Sequence, residues 1–321
     1  MKAIVCEAYG PIDGLKVQDM PDPEPGSKEV VIEAEAIGVN FPDGLLVQGL
    51  YQAKPPTPFV PGMELVGKIA VAGDESGFNP GDRVAAVTSI GAFAEKVKAH
   101  KNVVMPVPPD SDGLELTALM CGYGTAHHAL KQRGQLKEGE TLVVTGASGL
   151  TGLAAVQIGK VMGAKVIAIA STDEKRAVCA ANGADVTLSY DNLKEELKSA
   201  TGGQGADVVF DVVGGEVFNA CSRAVGWGGR LLVIGFADGD IPQFPVNLAL
   251  VKGFSVVGVF WGSFVQREPA VYAENMKELF GWYVNGDIKP LVEPPFKLEN
   301  AVDALKHIHD RKAKGKVVLV P

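Results

Sequence analysis

The chain has 321 residues, with a hydrophobic share of 46%, a charged share of 21% and a net charge of −8 from 38 acids against 30 bases. That is room for two compact units of a globular enzyme, and the acidity speaks against a nucleic-acid surface. No apolar run approaches the ~20 residues of a membrane helix, and the scattered Cys6, Cys121, Cys179 and Cys221 make no disulfide framework, so no membrane contact and a cytoplasmic setting are expected.

The first third reads as β structure cut by many turns. A strand pattern begins at Met1, where a secretory signal would show a basic stretch and an apolar run. Strands are expected at 30–36, 65–71 and 85–88, with a loop at 40–43 and a turn at Gly81-Asp82. Frequent Pro and Gly keep helices short here, and the segment reads as a partly open β-barrel. From about residue 111 the pattern changes. Helical spacing covers 114–133, followed by a strand at 141–145, a helix at 150–162, a strand at 165–170 and a helix at 174–182. A strand at 207–212, a helix at 216–224 and strands at 230–235 and 255–260 continue the alternation, the mark of a parallel sheet covered on both faces. The tail holds helices at 268–285 and 300–311 and a closing strand at 316–320. The expected organisation is α/β: a doubly wound nucleotide-binding domain at 122–261, inserted into a substrate domain made of 1–121 and 262–321.

Between strand 141–145 and helix 150–162 lies Gly146-Ala147-Ser148-Gly149-Leu150-Thr151-Gly152. Glycines spaced three apart at a strand-to-helix turn allow a tight bend and a close approach of backbone to a pyrophosphate. The helix N-terminus adds free N–H groups and partial positive charge. A plain turn that uses glycine only for geometry is the alternative; the βα units that follow favour dinucleotide binding. Asp173 stands near the spacing at which an acid holds the ribose 2′-hydroxyl of NAD, so NADH stays open. Ser171-x-x-Glu174, however, reads as a capping box with Ser171 as the cap, which makes Asp173 and Glu174 first-turn helix acids. Hydroxyls at the strand end beside Lys175 and Arg176 suit a 2′-phosphate, with solvated helix charges as the alternative for those bases. The pattern points to NADPH.

Further motifs run along nearly the whole chain: Gly38-Val39-Asn40-Phe41-Pro42-Asp43, Pro61-Gly62-Met63-Glu64-Leu65-Val66-Gly67, Gly81-Asp82-Arg83-Val84, Tyr123-Gly124-Thr125-Ala126, Gly205-Ala206-Asp207-Val208-Val209-Phe210-Asp211 and Gly315-Lys316-Val317-Val318-Leu319. In this order the sequence resembles the zinc-free quinone oxidoreductases of the medium-chain dehydrogenase/reductase superfamily. Gly235-Phe236-Ala237-Asp238 and Gly258-Val259-Phe260-Trp261-Gly262 bring it nearest the quinone oxidoreductase-like protein 2 branch. The resemblance implies a GroES-like barrel and a Rossmann domain, with the cofactor between them. It implies Thr125 and Asn40 near the nicotinamide ribose, Lys175, Tyr190 and Arg311 around the 2′-phosphate, and Phe236, after Gly235, flanking the cofactor. It also implies a homodimer. The edge candidate is 254–260, an apolar strand that needs covering. Where relatives often read Gly-Gly-Val-Gly, this chain has Gly149-Leu150-Thr151-Gly152, whose Thr151 hydroxyl suits a phosphate hydrogen bond.

Zinc-dependent relatives hold their metal with two cysteines and a histidine. The corresponding positions here are Asn40, Met63 and Cys121, and one thiolate cannot supply the three protein ligands of such a site. No metal is expected. Cys121 is expected as a small buried residue, and Glu64 as a structural carboxylate or a hydrogen-bond partner at a pocket rim. His127-His128 and His307-x-His309 are expected as surface or packing residues, because neither spacing puts both rings on one helix face.

Without a Lewis acid, the easier hydride acceptors are quinones and activated enones, whose product anion is delocalised. Candidate pocket groups are Asn40, Tyr51, Met63 and Tyr123, with apolar walls from Leu45 and Phe260; relatives often carry a tyrosine at the position of Leu45. Tyr51 or Tyr123 is either a proton donor to the reduced oxygen or an aromatic wall, the wall being favoured. The leading expectation is an NADPH-dependent reductase of a small-molecule quinone or carbonyl-activated enone. A 2-enoyl-thioester (acryloyl-CoA-like) reductase and a non-catalytic NADPH-binding protein stay open.

Overall fold

The computed structural model describes all 321 residues, which divide into two units. The first comprises Met1–Cys121, Val265–Val284 and Pro290–Pro321; the second comprises Gly122–Phe264 and Asn285–Lys289. The second unit thus runs past 261, the limit expected from sequence, and takes in 285–289 as well. Gln157 ties that segment to it, accepting from the Lys289 N–H and donating to the Lys289 carbonyl, each at 2.9 Å.

In the first unit, β1 (Lys2–Val5) pairs antiparallel with β2 (Lys16–Asp19). The long strand β3 (Glu29–Val39) alternates Ile32, Ala34 and Ala36 inward with Glu33 and Glu35 outward, the period of a half-buried strand. Helix α1 (Phe41–Val47) follows it at once. Then come β4 (Glu64–Ala72), β5 (Arg83–Val87), β6 (Lys96–His100), β7 (Val104–Pro106) and the short α2 (Gly113–Ala118). The helical segment continues as a π turn at Leu119–Tyr123, α3 (Gly124–His128) and a second π turn at Ala129–Arg133. What reads in sequence as one helix over 114–133 is therefore twice widened. A side chain at Gly122 would collide with Leu150, and one at Gly124 with the Trp261 ring, so both glycines serve close packing within the second unit.

The second unit alternates β8 (Thr141–Val144), α4 (Leu150–Val161), β9 (Lys165–Ile169), α5 (Asp173–Ala181), β10 (Val186–Leu188), α6 (Leu193–Ala200), β11 (Ala206–Asp211), α7 (Gly215–Ala224), β12 (Val225–Val233), α8 (Asn247–Lys252) and β13 (Ser255–Gly258). The six strands are all parallel in the order β10-β9-β8-β11-β12-β13. Leu142, Val143, Val166, Ile167, Val209 and Phe210 have no exposure, as expected of strands covered on both faces. The strand order reverses between β8 and β11, so the crevice at their C-terminal ends is where such sheets bind ligands. β10 and α6 are absent from the sequence reading. β10 is only three residues long, and α6 is eight residues with just Leu193 and Leu197 on its buried face, both too short to stand out in the sequence.

The chain then forms α9 (Trp261–Arg267) and α10 (Pro269–Asn285), so the helix expected at 268–285 is preceded by another that the proline separates from it. β14 (Phe296–Lys297), α11 (Ala301–His309) and β15 (Val317–Val320) return to the first unit. Its sheet runs β14-β15-β3-β4-β5-β7, with β6 also on β3. One edge of β3 pairs with β6 along Glu29–Glu33 and with β15 along Ile37–Val39, while register shifts against β4 bend it. Handing its two halves to different partners curls the sheet into a partly open barrel around Ile32, Ile37, Leu65, Ile69 and Phe93.

Candidate active site

In the second unit the glycine turn joins β8 to α4. Gly146 is left-handed (φ +58°), and a Cβ on Gly152 would stand 2.3 Å from the Gly146 carbonyl oxygen, so both positions demand glycine. Over Gly149 the only nearby atom would be that same oxygen at 3.4 Å, which leaves this face open. Helix α4 has no side-chain cap at its start, so its first N–H groups have no side-chain acceptor. An open, uncapped helix N-terminus of this kind fits a pyrophosphate. Leu150 and Thr151 form its first turn, half-buried.

Two groups brace this turn. The Tyr190 hydroxyl accepts from the Gly146 N–H at 3.0 Å, and burial pushes the phenol upward, so it keeps a proton to donate. Thr145 donates to Asp211 Oδ1 at 2.6 Å and accepts from the Val212 N–H at 3.1 Å, clasping the ends of β8 and β11. Asp211 also accepts from the Val213 N–H at 3.0 Å. The segment after β12 is pinned alongside: Ala237 and Asp238 donate N–H bonds to Val212 and Val213 carbonyls at 3.0 Å each. Gly235 and Phe236 are thereby set beside Val212–Gly214, near the glycine turn.

At the end of β9 the sequence expectation is corrected. The cap of α5 is Thr172, whose hydroxyl accepts from the Lys175 N–H at 3.2 Å, and not Ser171. The helix begins one residue later than the capping-box spacing suggests, because two hydroxyl residues in a row offer alternative caps. Ser171 is exposed and its hydroxyl is left for another partner. Arg176 donates to the Ala170 carbonyl at 3.0 Å and pairs with the exposed Asp173. Lys175 is half-buried on the same turn.

Tyr123 is a second correction. It is 1% exposed, and its hydroxyl donates to Gln157 Oε1 at 2.8 Å, within the group that also holds Lys289 and Asn182. That hydroxyl braces helices and has no opening to a substrate. Thr125, two residues further on α3, is half-buried, and Phe260, two residues past β13, is exposed.

The remaining candidates belong to the first unit. Asn40 stands directly before α1; its N–H donates to Asp43 Oδ2 at 2.7 Å. Its side chain meets a buried ion pair. Nδ2 donates to Glu64 Oε1 at 2.8 Å, and Oδ1 accepts from Lys316 Nζ at 2.9 Å, while Lys316 also pairs with Glu64. Glu64 Oε2 accepts from the Cys121 N–H at 2.7 Å. Burial, and then the Glu64 charge, push the Cys121 thiol well up, which makes it unreactive. Burial likewise raises Tyr51, with Cys121 and Asp43 adding to it, and Tyr51, Met63 and Leu45 are half-buried. Arg311 follows α11 in a left-handed conformation (φ +59°) and is exposed. No group of three or more His, Cys, Asp or Glu is arranged to hold a metal ion. His128 stacks on Phe264 at 3.7 Å and His309 on Phe41 at 4.4 Å, both packing roles, while His307 Nε2 bonds the Glu293 carboxylate at 2.7 Å. No helix is long and apolar enough to cross a membrane.

Two family models match: an alcohol dehydrogenase GroES-like domain over residues 26–109 and a zinc-binding dehydrogenase domain over 151–280. Quinone oxidoreductase-like protein 2 of Rattus norvegicus is 38% identical over 309 residues, covering 95% of this chain and 88% of that protein. The chain belongs to the quinone oxidoreductase family of the medium-chain dehydrogenases/reductases. It is an oxidoreductase fold of a GroES-like barrel and a Rossmann sheet. A probable oxidoreductase from Mycobacterium abscessus superposes with a TM-score of 0.91 at 37% identity, covering 100% of this chain and 99% of that one. The quinone oxidoreductase of Thermus thermophilus, solved also with NADPH, gives 0.87 at 34% identity with 100% of both chains covered.

Within this quinone oxidoreductase scaffold, the groups that sequence reading misses are Lys316, Thr145 and Asp211. Lys316 has a signal in hindsight: a lysine opening the all-apolar Val317–Val320 strand calls for a buried acid. Nothing local in the sequence says that the acid is Glu64.

Proposed function

We propose that this protein is a zinc-independent, NADPH-dependent reductase whose acceptor is a quinone or a conjugated enone. The observation that carries the reading is the open, uncapped turn of Gly146–Gly152 braced by Tyr190, with Ser171 and Lys175 at the end of the next strand. Names of the relatives and the NADPH complex of the Thermus enzyme support it. In the second unit we assign the pyrophosphate to the α4 N-terminus with Thr151, the 2′-phosphate to Ser171, Lys175 and Tyr190, and the nicotinamide to Thr125, Gly235 and Phe236; in the first unit we assign Asn40 and Arg311 to ligand binding. When bound, NADPH supplies a hydride from its nicotinamide ring.

The chain's own contribution is binding, orientation and exclusion of water. Asn40 donates a hydrogen bond to ligand oxygen. Leu45 and Met63 of the first unit and Phe260 of the second offer apolar surface, and Tyr51, held protonated by burial, has a proton to give to the reduced oxygen. Of Asn40, Met63 and Cys121 only the thiol is a usual zinc ligand, one where a catalytic zinc takes three protein ligands, which favours acceptors that delocalise charge by themselves.

The deciding measurement is NADPH oxidation with 1,4-benzoquinone, 9,10-phenanthrenequinone, an alkenal and crotonyl-CoA. Quinone turnover is expected, with kcat/KM for NADPH at least about tenfold above NADH. Tight NADPH binding without turnover of any acceptor makes the protein a binding protein instead, and crotonyl-CoA as the best acceptor makes it an enoyl-thioester reductase.

We further propose a homodimer in the cytoplasm, formed along β13. This strand is one edge of the six-stranded sheet, and Trp227, Val246, Leu250, Val251 and Val256 are exposed in the same unit, with Trp227 packed against Gly253. An uncovered edge with apolar neighbours is stabilised by a second copy. Four free thiols fit a reducing compartment.

A further inference from the structure

We infer that Lys316 and Glu64 are positioning residues that lock the Asn40 carboxamide in one orientation, with its second Nδ2 proton presented to an oxygen of the bound ligand. This rests on the reading of Asn40 as an active-site group. Lys316 Nζ donates to Asn40 Oδ1 at 2.9 Å, to the Val39 carbonyl at 3.2 Å and to Glu64 Oε1, so all three ammonium donors are engaged. Glu64 Oε1 also accepts from Asn40 Nδ2 at 2.8 Å, and Oε2 is held by the Cys121 N–H at 2.7 Å. Neither charged group is free to swing.

The pair reads the two ends of the amide separately. A flipped Asn40 would set its NH2 group against the ammonium and its carbonyl oxygen against the carboxylate, donor to donor and acceptor to acceptor. Only one orientation satisfies both. Exposure then separates the roles: Lys316 and Glu64 are 0% exposed, whereas Asn40 keeps 9%. Of the three, Asn40 alone reaches a ligand, and its remaining Nδ2 proton has no protein acceptor. Burying an ion pair costs desolvation that apolar side chains of similar size would avoid, so orienting a polar group is a use that burial alone does not supply.

The ligand group has one chemistry, an oxygen acceptor, and two sources: a ribose hydroxyl of the cofactor or the carbonyl of the hydride acceptor. In 1H–15N spectra of the intact protein, the Asn40 side-chain amide pair is identified by its loss in Asn40→Ala. Two well-separated protons are expected. One stays fixed, and the other moves on adding NADPH if the ribose is the acceptor, or only with NADP+ plus 9,10-phenanthrenequinone if the carbonyl is. Equivalent protons, or no movement with either ligand, overturn the inference whether or not the protein turns over quinones.

A second arm tests the coupling. The paired variant Lys316→Met with Glu64→Gln removes both charges together, in the native and Asn40→Ala backgrounds. Its expected effect is a loss of kcat of about tenfold or more in the native background, with KM for NADPH little changed, and no added loss once Asn40 is alanine. Equal losses in both backgrounds mean a merely structural pair and sink the proposal. Full turnover by Asn40→Ala removes Asn40 from the site, and the proposal with it. If the paired variant does not fold, Asn40→Asp serves instead: it keeps an acceptor for Lys316, lacks the N–H, and is expected to lose kcat as Asn40→Ala does.

Discussion

Asp43 carries an unusual burden for one carboxyl group. It has no exposure, Oδ2 accepts from the Asn40 N–H, and Oδ1 has no hydrogen-bond partner. Burial raises it to about 7, with Glu64 pushing the same way and the Asn40 N–H and Lys316 opposing. Because the folded value lies above the unfolded one, its contribution to stability is fully present below about pH 4 and is lost as pH rises towards 7. The decline has a ceiling of about 1.4 kcal/mol per pH unit. Asp43→Asn should flatten that decline, so chemical denaturation at pH 5 and pH 8 should show the variant gaining on the native chain at the higher pH. Parallel profiles would refute the assignment. At this scale the sequence was informative about residue type and poor about partners. Asn40 is readable as a candidate from its motif, but the hydroxyl of Tyr190 on Gly146, 44 positions away, is not.

The turn between β8 and α4 is the element to which we assign cofactor binding. Its glycines are legible because the geometry they serve is local: Gly152 lies under Gly146 only six residues away in the chain. Gly152→Ala would put a methyl group 2.3 Å from the Gly146 oxygen and 2.8 Å from Ala147 Cα, both backbone atoms that cannot step aside cheaply. NADPH affinity, read by fluorescence titration, should fall at least about tenfold; unchanged affinity would show that the turn does not hold the cofactor. The same local logic explains the errors. The longer helices and the wholly apolar strands are legible, while β10, of three residues, and α6, of eight, are too short to stand out. At α5 the competing caps Ser171 and Thr172 differ by one residue, which local pattern cannot rank.

For the whole molecule, the open question is the uncovered edge of the six-stranded sheet. Val256 lies on β13, 39% exposed. Val256→Lys should turn a dimer into a monomer in sedimentation at micromolar concentration, since a charge on an edge strand opposes pairing. A native chain that sediments as a monomer would defeat the dimer outright. What the sequence determined by itself was the alternation of strands and helices, the division into barrel and parallel sheet, and the glycine turn, all products of periodicity within a few residues. Only the tertiary structure decided which charges meet. Glu64 and Lys316 are 252 positions apart, and Asn40 and Lys316 276, so folding had to close β15 against β3 before the three could touch. Such contacts leave no local trace, because their energy comes from shared burial and not from neighbours in the chain.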